Sequence, residues 1–282
     1  MLSKFYVKDH VKSALMEDIG YGDITTENLA GENDFLKAEL NTRSEGILCG
    51  CDVFKTVFET LSNDVRIKFY FKDGDEIQKG DKIADIEGPA KDLLMGERVS
   101  LNYIQRMSGI ATETRKYQDA IAPYNAKIVD TRKTTPNFRA FEKYSVKIGG
   151  GALHRFNLSD CAMIKDNHIR LAGSLTNAVN KLRESISHAH KIEVECDTFD
   201  QVKEAVAVKA DIIMLDNMSI ETMKKAVEFI NHQAIVEASG NVNLSTVNAI
   251  ASTGVDIISS SAIGPRAPSF WVLMPISAPS PN

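Results

Sequence analysis

The chain lacks the features that would direct it to a membrane, an oxidising compartment or a nucleic acid. No apolar run approaches the roughly 18 residues of a membrane span. The first twenty residues, MLSKFYVKDHVKSALMEDIG, have neither the apolar core nor the cleavage site of a secretory signal. They predict an amphipathic helix instead, with Val7, Val11, Leu15 and Ile19 spaced by four. Cysteine is scarce: Cys49, Cys51, Cys161 and Cys196 are the whole set, and only the first two are close. A single C-x-C pair cannot complete a zinc site, so reduced, mostly buried thiols in a cytoplasmic protein are expected. An excess of basic residues is missing too. The net charge of −5 argues against nucleic acid as a partner. No Ser-His-Asp or Cys-His arrangement stands out, so nothing points to a protein nucleophile.

At 282 residues the chain has room for two modest domains, or one barrel with additions. Its rhythm changes along its length. From about residue 35 to 90 the pattern predicts mostly strand, and Val65, Ile67, Phe69 and Phe71 alternate with polar residues. KDGDEIQKGDKIADIEG follows, with turn signals at Asp73-Gly74 and Gly80-Asp81. That piece resembles the hammerhead of biotinyl and lipoyl carriers but lacks their modifiable lysine. Residues 92–122 predict a helix with Leu94, Leu101, Ile104, Met107 and Ala111 on one stripe. Arg98 and Arg106 fall off it, and a surface ion pair is the expected role of Arg106.

After residue 125 short apolar strands alternate with helical stretches. Strands are predicted at Lys127–Asp130, Ala162–Lys165, Lys191–Glu195, Ile212–Asp216, Ile235–Ser239 and Asp256–Ser259. Such alternation implies parallel strands joined by right-handed crossovers. Each strand closes on a functional group: Arg132 and Lys133, Lys165, Glu195, Asp216, Ser239-Gly240, Ser260-Ser261. Convergence of carboxyl ends on one mouth favours a barrel over an open sheet, and six strands make it an incomplete one.

The mouth is built for anions. Arg132, Lys133, His154, Arg155 and Lys165 are more cations than one phosphate needs, which implies a multiply charged ligand or two anions together. Gly149 to Gly151 would let the chain turn sharply before His154-Arg155. Glu195 and Asp216 could bind sugar hydroxyls, hold a divalent cation or act as a base, and equally could pair with the neighbouring cations. Small residues in VEASGN and SSSAIG suit a phosphate cup after the last strands.

Taken together, ERVSLNYIQRMSGIAT, DTRKTTP, EKYSVKIGGGALHR, IKDNHI, IEVE, IMLDN and VEASGNVN occur in the order and spacing of the quinolinate phosphoribosyltransferase family, to about residue 258. The resemblance implies an N-terminal open-faced α/β sandwich (residues 1–108, completed by the C-terminal tail) and an incomplete parallel α/β barrel (109–270). An atypical Pro/Ser-rich tail (271–282) follows. It implies decarboxylating transfer of a phosphoribosyl group from phosphoribosyl pyrophosphate to quinolinate with Mg2+, in de novo synthesis of NAD. On this resemblance Arg132, His154, Arg155 and Lys165 cradle quinolinate, and Lys133 is shared toward pyrophosphate. Glu195 and Asp216 face the ribose hydroxyls and the metal. Ser239, Gly240, Ser260 and Ser261 form the 5′-phosphate cup. Arg98 matches an arginine that reaches into the neighbouring subunit's site, so a homodimer with shared active sites is implied.

The chain departs from the family pattern near its end. Ser261 stands where the family has glycine, and Pro265 where it has histidine. Three other readings compete: a pyrophosphorylase-like protein of molybdenum transport, a barrel aldolase using Lys165 as a Schiff base, and a non-catalytic sensor of a phosphorylated metabolite. The surplus of anion-binding groups opposes the aldolase.

Overall fold

The computed structural model describes residues 2–277, so residues 278–282 of the expected tail lie outside it. The chain divides into two compact units. One gathers the residues up to Glu113, Ala140–Gly149 and those from Ala267 onward; the other holds Thr114–Arg139 and Gly150–Arg266.

The first unit opens with helix α1 (Lys4–Ile19), which buries Val7, Val11 and Leu15 as their spacing predicts. Asp23 caps the next helix, α2 (Ile24–Leu29), by accepting the backbone N–H groups of Thr25 and Thr26. Strands β1 (Phe35–Thr42) and β2 (Gly46–Ile47) follow. The expectation of mostly strand to residue 90 then fails, because Cys51–Leu61 is a helix, α3. Val and Phe favour strands by propensity. Here Val53, Phe54, Val57 and Phe58 fall on one helical stripe, and burying that stripe outweighs propensity. Asp73, from the predicted Asp-Gly turn, caps this helix: its Oδ1 accepts the N–H groups of Gly50 and Cys51 at 2.9 Å.

Strands β3 (Arg66–Phe69), β4 (Glu76–Ile77) and β5 (Lys82–Pro89) complete the front of the unit. β5 pairs antiparallel with both β1 and β3, and β4 with β2. Helix α4 (Ala90–Ala120) places Leu93, Leu101, Ile104 and Met107 in the interior. Leu94 is exposed, so the predicted stripe was one residue out at its start, where Leu93 takes the inward position. Arg106 is not a surface ion pair. It donates to the carbonyl of Ala267 at 2.9 Å and lies 3.8 Å from the fully buried carboxylate of Glu142, on helix α5 (Arg139–Ile148). At the C-terminus Val272–Leu273 and Ile276–Ser277 pair antiparallel with β1. Phe270, Val272 and Met274 join the core of Leu40, Phe54, Ile86 and Ile104.

The second unit is a parallel sheet of six strands: β6 (Lys127–Val129), β7 (Ala162–Ile164), β8 (Ile192–Cys196), β9 (Ile212–Asp216), β10 (Ile235–Ser239) and β11 (Ile257–Ser259). Helices α6 (Asp166–Ala172), α7 (Leu175–Ser185), α8 (Phe199–Ala207), α9 (Ile220–Ile230) and α10 (Val247–Ala251) lie between β7 and β11. Ser174, Thr198 and Ser219 cap α7, α8 and α9 with side-chain oxygens. The spatial order is β6-β11-β10-β9-β8-β7. From β7 to β11, strands adjacent in sequence are therefore neighbours, and the last, β11, pairs with the first, β6. Only β6 and β7 do not meet. That is a barrel opened along one seam, the incomplete parallel barrel the sequence predicted. Ala152 covers part of the seam by bridging to Val129.

Candidate active site

The carboxyl ends of the six strands surround a cavity of about 430 Å³. Arg132, Lys133, His154, Arg155, Lys165, Glu195, Asp216 and Ser239 all line it. A larger hollow of about 710 Å³ lies over the antiparallel sheet, lined by charged residues such as Lys37, Glu39 and Arg66. It gathers none of the predicted site residues. The parallel sheet puts the smaller cavity where catalytic groups of a barrel belong.

The cations around this cavity crowd one another. Burial, and then the neighbouring charges of Arg155 and Arg139, pull the Arg132 guanidinium below its ordinary value. Its Nε is buried without a hydrogen-bond partner among the described residues. Arg139 fixes the surrounding loop by donating to the Thr134 hydroxyl at 3.0 Å and the Phe156 carbonyl at 3.1 Å. Arg155 donates to the Cys161 carbonyl at 2.9 Å and touches the Met163 sulfur at 3.4 Å. Like charges held this close store repulsion that an anionic ligand would relieve.

Opposite them stand carboxylates. Lys165 forms a tight ion pair with Glu195. Asp216 Oδ2 accepts a hydrogen bond from the Asn217 amide at 2.8 Å. Below the mouth, His154 Nε2 lies 3.4 Å from one oxygen each of Glu193 and Glu237, both almost fully buried. Burial opposes charging the ring, but the two carboxylates outweigh it and push His154 up to about 10. Yet the Arg155 amide donates into His154 Nδ1 at 2.7 Å, and a doubly protonated ring has no lone pair there. With Nδ1 accepting, Nε2 is the ring nitrogen that donates toward Glu193 and Glu237. Burial also raises Glu193 above the ordinary carboxylate range. The ring is thus turned toward the barrel interior. His154, Glu193 and Glu237 offer ligand atoms within 4.8 Å of one another, one group that could hold a metal ion. Glu195 and Asp216, the residues expected to face a metal, both line the cavity.

These geometric facts agree with what the chain is similar to. The family models described as "Quinolinate phosphoribosyl transferase, N-terminal domain" and "C-terminal domain" match residues 23–108 and 110–272. The chain belongs to the quinolinate phosphoribosyltransferase family. The probable nicotinate-nucleotide pyrophosphorylase (carboxylating) of Bacillus subtilis is 43% identical over 258 residues, covering 92% of this chain and 89% of its own. Its namesake in Synechocystis is 44% identical over 257 residues, 90% and 87% of the two chains. Among solved structures, NadC from Streptococcus pyogenes superposes with a TM-score of 0.96 at 38% identity, covering 99% of each chain. The nicotinate-nucleotide pyrophosphorylase of Francisella tularensis gives 0.94 at 38% identity, covering 98% of each.

Four residues expected at a family site do not line this cavity. Arg98 is an exposed residue of the first unit. Gly240 follows Ser239 into the turn beyond the lining residues. Ser260 is buried, donates to the Val242 carbonyl at 3.4 Å and accepts from Ala262 N–H at 3.2 Å. Ser261 comes next and is likewise absent from the lining, whereas Ser259 lines it. The sequence reading also missed Met163, Met214 and Glu237 in the lining. A signal for them existed. In a strand, side chains two apart share a face, and these residues precede Lys165, Asp216 and Ser239 by two. Glu193 precedes Glu195 in the same way. A carboxylate inside an otherwise apolar strand, two residues before a mouth residue, marks the second layer of the barrel interior.

Proposed function

We propose that this chain transfers the phosphoribosyl group of phosphoribosyl pyrophosphate to quinolinate, with loss of one carboxylate. The products are nicotinate mononucleotide, pyrophosphate and carbon dioxide, a step of de novo NAD synthesis. The observation that carries the reading is the crowding of Arg132, Arg155 and Arg139 beside Lys133 and Lys165, across one cavity from Glu195 and Asp216. One dianionic ring acid and one sugar carrying phosphates at both ends would use all of these groups. The curated relatives of known name, spanning most of their length, support it.

The residues divide the labour by charge. Arg132, Arg155 and Lys165 bind the two carboxylates of quinolinate and aim its ring nitrogen at the ribose C1. The nitrogen forms a bond to C1 as the C1–oxygen bond breaks, its electron pair leaving with pyrophosphate. Lys133 stabilises that leaving charge, and Glu195 and Asp216 hold the ribose hydroxyls and favour positive charge at C1. Alkylation makes the ring cationic. The carboxylate beside the nitrogen then departs as carbon dioxide, leaving its bonding electrons on the ring carbon, which takes a proton from water. Hard carboxylate oxygens at Glu195 and Asp216 suit Mg2+, and Mg2+ bound there with the donor would neutralise its pyrophosphate. Ser239, Gly240 and the end of β11 would receive the 5′-phosphate. We further read the working form as a homodimer in which Arg98 serves the neighbouring subunit's site. Four free cysteines suit a cytoplasmic setting.

Lys165 is ion-paired with Glu195 rather than isolated among apolar groups, which does not favour a Schiff-base aldolase. Acceptor selectivity tests the proposal. With two carboxylates gripped, nicotinate should be used at least about tenfold less well than quinolinate, the cost of one charge-assisted contact. Chromatographic assay of nicotinate mononucleotide from each acid measures this, and equal use of both would remove the dicarboxylate assignment.

A further inference from the structure

We propose that Asn217 is a positioning residue for the phosphoribosyl donor, fixing the Asp216 carboxylate and the turn after β10 in one register. This rests on the functional reading above. Strands β9 and β10 end together, with Asp216 opposite Ser239, and both residues line the cavity. Asn217 follows with a left-handed φ of 52°, a conformation that asparagine tolerates better than most residues. From there it makes three bonds to the two strand ends. Its backbone N–H donates to the Ser239 carbonyl at 2.9 Å. Its Nδ2 donates to Asp216 Oδ2 at 2.8 Å, and its Oδ1 accepts from Asn241 Nδ2 at 3.1 Å.

Gly240 lies directly against this amide. Its φ is +90°, and a Cβ there would sit 2.2 Å from Asn217 Oδ1. The absence of a side chain at 240 is therefore required by Asn217. Asn241 carries the tie onward, since its carbonyl accepts the Thr246 hydroxyl at 3.0 Å, just before α10. Asp216 would face the ribose, and the Ser239–Asn241 turn the phosphate, of the same donor molecule. The cations that would hold quinolinate lie on other strand ends. Loss of the Asn217 side chain should thus appear in donor binding and spare the acid.

Three variants separate the bonds. Asn217→Gly keeps the left-handed backbone accessible and removes both side-chain bonds. Asn241, also left-handed with φ 52°, is likewise changed to glycine. Asn241→Gly removes only the bond to the turn, and the double variant combines them. We expect Asn217→Gly to raise the donor's KM, and its Kd by calorimetry, about tenfold or more, with quinolinate Kd and Tm unchanged. Asn241→Gly should give a smaller rise in the same direction, and the double variant should be no worse than Asn217→Gly alone. An unmoved donor KM, or parallel loss of both ligands with a lower Tm, would overturn the inference. Additive effects in the double variant would also overturn it, because Asn217 would then act on substrate directly. If wild type turns over neither substrate, the functional reading fails and this inference with it.

Discussion

At the residue scale the account depends on whether Glu195 and Asp216 serve chemistry or merely neutralise the cations beside them. Lys165 is paired with Glu195, so both roles are visible in one contact. The two roles predict opposite consequences. Glu195→Gln and Asp216→Asn keep shape and much hydrogen bonding, and they remove negative charge from the mouth. If the carboxylates act on the donor and its developing positive charge, turnover should fall about a hundredfold or more. The variants should stay folded, and quinolinate should bind as well or better, because both lose negative charge from the mouth and Glu195→Gln also releases Lys165. If the carboxylates are scaffolding, the cations should loosen, Tm should drop and quinolinate binding should weaken, with turnover following in proportion. Calorimetry of quinolinate binding beside a melting curve separates the two. Most residue identities at the mouth were legible because they stood at the end of an apolar run, and His154 and Arg155 because they followed the triple glycine between two such runs. Glu193, Glu237, Met163 and Met214 were not, because they sit inside those runs, and only the two-residue alternation of a strand reveals them. Ser259 was missed for the same reason: of three consecutive serines, alternation from Ile257 selects the one that faces inward.

At the element scale, the parallel strands could be placed to within a residue or so. Short buried strands bounded by polar residues leave little freedom in a sequence, and the caps at Ser174, Thr198 and Ser219 mark the helices between them. Helix α3 could not be read this way, since its Val and Phe residues satisfy strand propensity and helical spacing at once. The C-terminal strands were obscured by the proline and serine around them, yet Phe270, Val272 and Met274 have the alternation of a covered face. Their seat against α4 depends on Gly109, where a Cβ would stand 2.1 Å from the Pro268 carbonyl oxygen. Alanine is favoured over glycine in a helix by about 1 kcal/mol. Overpacking against backbone costs roughly 1–3 kcal/mol, so the clash should win. Gly109→Ala is expected to lower Tm and to speed proteolysis near residues 267–277, and a raised Tm would show that the C-terminal segment is not held there.

At the scale of the whole molecule, the chain divides into two compact units that each draw on separate stretches of sequence. Nothing in the sequence marks Ala140–Gly149 as belonging with the first, because its helical pattern looks like any other crossover. Its buried Phe141 and Glu142 reflect long-range packing that no local pattern encodes. The proposed dimer is tested at this scale. Arg98→Ala and Lys165→Ala should each be nearly inactive alone. Mixed and reassociated, they should recover up to about a quarter of wild-type activity per site, since in random heterodimers one of two sites carries neither lesion. No recovery once heterodimers are demonstrated would place Arg98 outside a shared site.

The central claim is that one cavity couples phosphoribosyl transfer to decarboxylation. The most direct test incubates the protein with carboxyl-labelled quinolinate, phosphoribosyl pyrophosphate and Mg2+, and counts carbon dioxide and pyrophosphate together. The account predicts equal amounts of both, each requiring both substrates. Folded protein that releases neither, or that releases pyrophosphate without carbon dioxide, would contradict it.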